Sequence, residues 1–349
     1  MQKGDIIKGY LVLQDFKTAG GGLSKWTFAS KNKQVFFMKE FLSPKYPTPD
    51  APGSALSKQN KKIECEKFEE RHQNIRKALQ EKCGIGGNLV ITLDFFRQET
   101  KYYKVTEKIE VASLSTAEIS NLSLDSQILI LKTITHSLNV LHKANIVHSD
   151  LKPDNILIKQ TKTGNYTAKL IDFDDSYFSG LPPILSEDVV GDMVFYSPEL
   201  ASYVKNPVEE NAQKLTTKSD IFALGLLFCV YLTNELPPFF SSYQYACLAA
   251  NNNQKIIFAP EKNIPAELLL LINKMLSTKE KLRPEAHEIF EKLKIIDIEN
   301  YSEINTRNSK ENIKINDKID TNSKIIIEEN TESSGGLRGK GLNILKKNK

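Results

Sequence analysis

Four cysteines in 349 residues, Cys65, Cys83, Cys229 and Cys247, are too few and too scattered to staple a fold. No two of them stand as C-x-x-C, so neither a disulfide framework nor a cysteine zinc site is expected, and the thiols read as reduced ones. An excess of one charge is missing as well. Forty-seven basic against 43 acidic residues leave a net +4, which gives no general attraction for a polyanion and no expectation of nucleic acid as a partner. Long hydrophobic runs are absent too: the longest, Ile221 to Leu232, is too short for a bilayer and closes on polar Thr233 and Asn234. Met1 to Asp5 lacks the apolar core of a signal peptide, so the expectation is a soluble, cytoplasmic protein with no membrane span. Hydrophobic residues make up 40%, enough to bury one or two ordinary cores.

Chemistry concentrates in two short stretches. His148-Ser149-Asp150-Leu151-Lys152-Pro153-Asp154-Asn155 sets a carboxylate, an ammonium and an amide at fixed steps on one loop. Asp172-Phe173-Asp174 follows the strand-like run Ala168 to Ile171. Moving a phosphoryl group asks for a base that orients a hydroxyl, metal ions that neutralise phosphate charge, and a cation near the transferred group. Asp150 suits the base, Lys152 the cation, and Asn155 with Asp172 the metal ligands.

These stretches resemble the catalytic loop and the D-F-G segment of protein kinases, and Lys152 two residues after Asp150 is similar to the serine/threonine class. Other motifs follow in order. Strand candidates at 10–16, 25–29 and 34–39 enclose Gly20-Gly21-Gly22 and end in Lys39. This resembles the hairpin that covers ATP phosphates, with Gly20 and Gly22 letting backbone amides approach and Lys39 holding the α- and β-phosphates. Lys25 stands where the pattern has its third glycine. Residues 44–60, rich in proline and small polar residues, read as an insertion loop. A helix is expected from about Lys61 to Lys82, with Phe68, His72, Ile75 and Leu79 on its apolar stripe. The family places there a glutamate that pairs with the lysine. Glu64, Glu66, Glu69 and Glu70 compete, with Glu69 preferred for its sequence position. Strands are expected at Leu89 to Phe96 and Lys101 to Lys108. The resemblance makes Thr106 the gatekeeper and gives adenine the backbone of Glu107 and Ile109.

Asp125 to Ala144 reads as a helix leading to the catalytic loop, in which the resemblance makes His148 structural. Ser149 replaces the arginine that partners activation-segment phosphate in many kinases, which implies activity independent of that switch. Asp174 replaces glycine, and Asp192 replaces a threonine; Asp174 reads as a turn residue and Asp192 as a partner for Lys152. Ser197-Pro198-Glu199 implies a pair between Glu199 and Arg283, and Asp220 implies an anchor for the catalytic-loop backbone.

The resemblance implies an α+β, bilobal protein kinase fold, with a small lobe over 1–109 and a larger helical lobe over 110–296; the composition after that, rich in Asn, Lys, Glu, Ser and Ile with few aromatics, reads as a disordered tail over 297–349. It implies ATP-dependent transfer to a serine or threonine of a protein substrate, with Mg²⁺ or Mn²⁺. The tail's basic, leucine-bearing end reads equally as a partner-docking peptide or a solvated terminus. A scaffolding pseudokinase and a small-molecule kinase remain alternative readings.

Overall fold

Alternating burial along the first hundred residues builds a sheet, and the rest of the described chain is mainly helical. The computed structural model describes residues 1–18, 24–83, 87–112, 114–183, 189 and 191–296. Gly20, Gly22 and the expected tail lie outside the described residues.

Seven antiparallel strands form the sheet: β1 (Ile6–Ile7), β2 (Tyr10–Val12), β3 (Lys17–Thr18), β4 (Ser24–Lys31), β5 (Gln34–Phe41), β6 (Asp94–Gln98) and β7 (Lys101–Glu107). Their order is β1-β2-β4-β5-β7-β6, with β3 on β4. The side-chain period of two gives the sheet distinct faces. One packs Ile7, Tyr10, Val12, Ala29, Met38, Phe96, Tyr103 and Val105 into a core. The other puts Phe41, Phe95 and Tyr102 against Cys65 of the long helix α1 (Ala55–Cys83). His72 joins that aromatic layer, stacked 4.6 Å from Phe95 and edge-on 4.4 Å from Phe68.

Some expected boundaries move. The first strand stops at Val12, and pairing resumes only at Lys17. The helix starts at Ala55, inside the stretch read as an insertion loop, because the breakers end at Gly53 and the Ser54 hydroxyl then accepts the Ser57 N–H at 3.1 Å. The strand expected from Leu89 begins at Asp94, since Val90 N donates to Leu170 O at 2.9 Å instead of joining the β7 ladder.

The helical part has α2 (Thr116–Ser120), α3 (Leu124–Lys143), the two-residue β8 (Ile146–Val147), the hairpin β9 (Ile156–Gln160) and β10 (Tyr166–Leu170), and β11 (Tyr177–Phe178) paired with β8. Next come α4 (Pro198–Lys205), α5 (Glu209–Ala212), α6 (Thr217–Thr233), α7 (Ala246–Asn251), α8 (Ala266–Met275) and α9 (Ala286–Ile295). Almost every side chain of α6 is buried, so it is the central helix, with α2, α3 and α8 against it. The architecture is α+β and bilobal, sheet-rich first and helical second. Two links set one lobe on the other near the site: Val90 N donates to Leu170 O at 2.9 Å, and Leu170 N to Asn88 O at 2.8 Å.

Candidate active site

The loop between β8 and β9 is held in an uncommon backbone shape. Ser149 has φ 74° and Asp172, just past β10, has φ 61°, left-handed values that non-glycine residues adopt only where surroundings enforce them. Asp220, in the first turn of α6 and 2% exposed, does the enforcing at Ser149. Its carboxylate accepts the N–H of His148 at 2.8 Å and of Ser149 at 3.0 Å, and also meets His142 Nε2 at 2.9 Å. His148 is fully buried. Its Nε2 lies 3.0 Å from the Ile171 carbonyl, which can only accept, so that nitrogen carries the proton and Nδ1 accepts from Asp150 N at 3.3 Å. The imidazole therefore ties the loop to the residue before Asp172.

Asp150, Lys152 and Asn155 come together. Lys152 Nζ stands 2.9 Å from Asp150 Oδ1, and Asn155 Nδ2 donates to the Asp150 carbonyl at 2.7 Å and to Oδ2 at 2.8 Å. Those bonds use the amide nitrogen of Asn155 and leave its oxygen as an acceptor. Gly191 passes so close that a Cβ on it would lie 2.8 Å from Tyr196 Cε1 and 3.4 Å from Asp150 Oδ1. Asp192 N also donates to Asp150 Oδ1, at 3.3 Å.

Behind this loop lies a second cluster. Lys39 on β5 and Lys104 on β7 are register partners, so two ammoniums share one sheet face. Like charges directly opposite destabilise a sheet unless anions intervene. Two do. Lys39 Nζ donates to Asp172 Oδ2 at 2.9 Å and to Asp174 Oδ2 at 2.6 Å. Lys104 Nζ donates to Asp172 Oδ1 at 2.8 Å and to Asp174 Oδ1. Burial alone would lower the pKa of Lys39, but the carboxylates of Asp174 and Asp172 outweigh it and raise it. For Asp174, burial opposes ionisation, and the ammoniums of Lys104 and Lys39 overcome it and hold the carboxyl well below its usual range. Burial lowers His72 to about 3. Burial and the neighbouring carboxylates of Asp174, Asp172 and Asp150 push Asp175 up to about 7.

A protein kinase domain model matches residues 56–295, more than half of the chain. The chain belongs to the protein kinase family. Its curated relatives include Serine/threonine-protein kinase D of Synechocystis, 26% identical over 234 residues, covering 65% of this chain and 42% of the relative. Serine/threonine-protein kinase cds1 of Schizosaccharomyces pombe is 31% identical over 193 residues, 52% of this chain and 39% of the relative. The ovarian-specific serine/threonine-protein kinase Lok of Drosophila melanogaster is 27% identical over 293 residues, 82% of this chain and 56% of the relative. The chain thus spans about half, or less, of the length of these relatives.

Against the kinase pattern, three expectations need correction. Lys39 does not meet Glu69: that carboxylate accepts the Tyr102 hydroxyl at 2.6 Å and faces Arg97 at 3.5 Å, because α1 turns it toward the strand edge. Asp174 is no simple turn residue but a buried partner of two lysines. Asp192 does not pair with Lys152; its carboxylate accepts Val194 N at 2.9 Å within its own turn. Lys104 was not singled out by sequence reasoning. Its available signal was period two: between buried Tyr103 and Val105, it shares a face with Thr106 and Tyr102. Thr106 is 8% exposed, and β7 ends at Glu107, so the backbone from 108 through Ile109 leaves the ladder at the expected adenine edge. The Glu107 side chain lies 3.3 Å from Lys169. Glu199 and Arg283 form a bidentate pair, with contacts of 2.6 and 2.9 Å.

No helix among the described residues is long and apolar enough to cross a membrane. Among the described residues no group of three or more His, Cys, Asp or Glu side chains suits a metal on its own. A site of one carboxylate and one amide oxygen fits a hard cation whose other ligands are phosphate and water. Asn155, with its amide oxygen left over, and Asp172, whose side chain is 31% exposed, are the residues that would offer that donor set.

Proposed function

We propose that this protein is an ATP-dependent serine/threonine protein kinase that moves the γ-phosphoryl group to a protein hydroxyl. The observation that carries this reading is the convergence of Lys152 and Asn155 on Asp150, each within hydrogen-bond reach of its carboxylate, on a loop tied through His148 to the segment bearing Asp172.

In this mechanism Asp150 accepts the proton of the attacking serine or threonine hydroxyl and aims its oxygen at the γ-phosphorus. Lys152, already at Asp150, faces the charge that grows on the transferred group. Lys39 meets the α- and β-phosphates, and adenine takes backbone positions at Glu107 and Ile109 behind Thr106. Asn155 and Asp172 would hold a divalent cation, Mg²⁺ or Mn²⁺, which would neutralise phosphate charge. Gly20 and Gly22 belong to the phosphate-covering loop. Ser149 supplies no guanidinium for an activation-segment phosphate, so the activity is independent of that switch. The Ser197-Pro198-Glu199 segment, anchored by Arg283, favours a protein over a small-molecule acceptor.

One observation favours a second reading, a nucleotide-binding scaffold: both oxygens of Asp172 already face ammonium groups. Transfer of label from γ-labelled ATP to generic protein substrates, with Mg²⁺ or Mn²⁺, decides between them. Kinase action predicts phosphoserine or phosphothreonine with wild type and a loss of roughly 10²- to 10⁴-fold with Asp150→Asn. Equal transfer by both proteins refutes Asp150 as the base, and nucleotide binding without any transfer supports the scaffold.

A further inference from the structure

We propose that Asp174 is the carboxylate that fixes Lys39 for the nucleotide phosphates, the task a helix glutamate performs in the kinase pattern, with Lys104 as its companion cation. This rests on the reading of the chain as a protein kinase.

Strand register sets the problem. With Lys39 and Lys104 opposite each other and their side chains 15% and 5% exposed, water cannot separate the two ammoniums. Something anionic must stand between them, or one lysine must be displaced from the site. Helix α1 offers nothing of that kind. Its buried residues are Cys65, His72, Ile75, Ala78 and Leu79, and none of them is an acid. Glu64, Glu66 and Glu70 are exposed, and Glu69 is committed to Tyr102 and Arg97. His72, which feels the charges of Asp174, Lys104 and Lys39, is itself neutral, and its Nε2 has no partner among the described residues.

Asp174 answers the need by chain position. It stands two residues past Asp172, where glycine would bring no side chain, and gives one oxygen to each lysine. Two ammoniums and two carboxylates then close to zero net charge. The two aspartates are not equivalent. The Asp174 side chain is 10% exposed and Asp172 31%, so Asp174 is the inner, fixed member and Asp172 the one nearer the cleft. Asp174 thus holds Lys39 in place while Asp172, nearer the cleft, is left as the carboxylate that would face a cation. The alignment of Lys39 becomes a property of the sheet and the segment after β10, with no ionic contribution from α1.

The test uses the full chain as wild type, Asp174→Asn, Asp174→Asn/Lys104→Met and Glu69→Gln. Three quantities are read: kcat for protein phosphorylation, the Kd for ATP by calorimetry with and without Mg²⁺, and the melting temperature. Asp174→Asn is expected to lower kcat at least tenfold while ATP Kd stays within about threefold, because it loosens Lys39 without removing it. The double variant removes one charge of each sign, so it regains melting temperature but stays at least tenfold slow. Glu69→Gln is expected within twofold of wild type in kcat. Full recovery of kcat in the double variant would mean that Asp174 only neutralises Lys104, and a large kcat loss in Glu69→Gln would restore the helix glutamate; either overturns the proposal.

If wild type transfers no phosphate, the proposed activity falls, and geometry still decides the role of Asp174. The same arm applies if Asp174→Asn does not fold. A crystal structure of the wild-type chain with a non-hydrolysable ATP analogue is expected to keep Lys39 Nζ within about 3.5 Å of both Asp174 and a phosphate oxygen. Lys39 paired instead with a carboxylate of α1 would overturn the inference.

Discussion

Breaking the pair between Glu199 and Arg283 is a perturbation whose size can be worked from its surroundings. The Arg283 side chain is fully buried and that of Glu199 is 5% exposed. Besides Glu199, the guanidinium donates to the Lys218 carbonyl at 2.9 Å and the Ser277 carbonyl at 2.8 Å, and Glu199 also accepts from Ser219 at 2.9 Å. Removing one partner of a buried pair costs about 3–5 kcal/mol. For the unit spanning residues 1–296, about 2.1 cal/mol/K per residue gives an unfolding entropy of roughly 0.6 kcal/mol/K. Each kcal/mol then lowers the melting temperature by about 1.6 °C, and Glu199→Gln should lower it by about 5–8 °C. Arg283→Met strips two further carbonyls of their donor, at about 1 kcal/mol each, and should lower it by about 8–11 °C. The double variant should lose less than the sum, since neither charge is then left unpaired. Scanning fluorimetry measures all three, and phosphate transfer assayed well below the transition reports whether the substrate-side segment holds its shape. Shifts under about 2 °C for both single variants, or a larger shift for Glu199→Gln than for Arg283→Met, would refute this account.

Three further outcomes are expected. Asp220→Asn can no longer accept from both His148 and Ser149, so the loop relaxes and kcat falls roughly 10- to 100-fold, an effect of about 1.4–2.7 kcal/mol, with ATP affinity preserved. Gly191→Ala puts a methyl group 2.8 Å from Tyr196 and beside Asp150, so steady-state assays should show kcat reduced roughly tenfold, about 1.4 kcal/mol. His72 has a usual pKa of 6.5 when unfolded and about 3 when folded, so the unfolded chain binds the proton more strongly. Its contribution to stability is therefore present above about pH 6.5 and is lost as pH falls toward 3. Melting curves from pH 7.5 to 4.5 should fall less steeply for His72→Phe than for wild type.

Much of this was legible in the residues themselves. The long helices follow from periodicity and the catalytic loop from short-range spacing, while the bilobal α+β class was legible through the resemblance of those motifs to the protein kinase family. Glu199 and Arg283, 84 positions apart, were legible only because both sit in recognisable motifs. What escaped was pairing between elements. Nothing near Lys104 reveals that β7 lies beside β5 with that lysine opposite Lys39, so its role became visible only in the register. The kinase pattern puts the partner of Lys39 on the helix, where four glutamates compete, but which of them faces inward depends on the helix's rotation about its axis. The rotation follows the aromatic layer of Phe68 and His72, and leaves the glutamates elsewhere.

The four-membered charge cluster also bears on which small molecules this protein will accept. A compound that needs the segment after β10 swung outward must first separate Asp174 and Asp172 from two lysines in a buried setting. It must then leave those lysines facing each other across adjacent strands. A compound that fills the cleft with the segment in place meets no such barrier. The protein should therefore discriminate sharply between the two kinds of ligand, rejecting the first through its own internal salt links and without any steric gate.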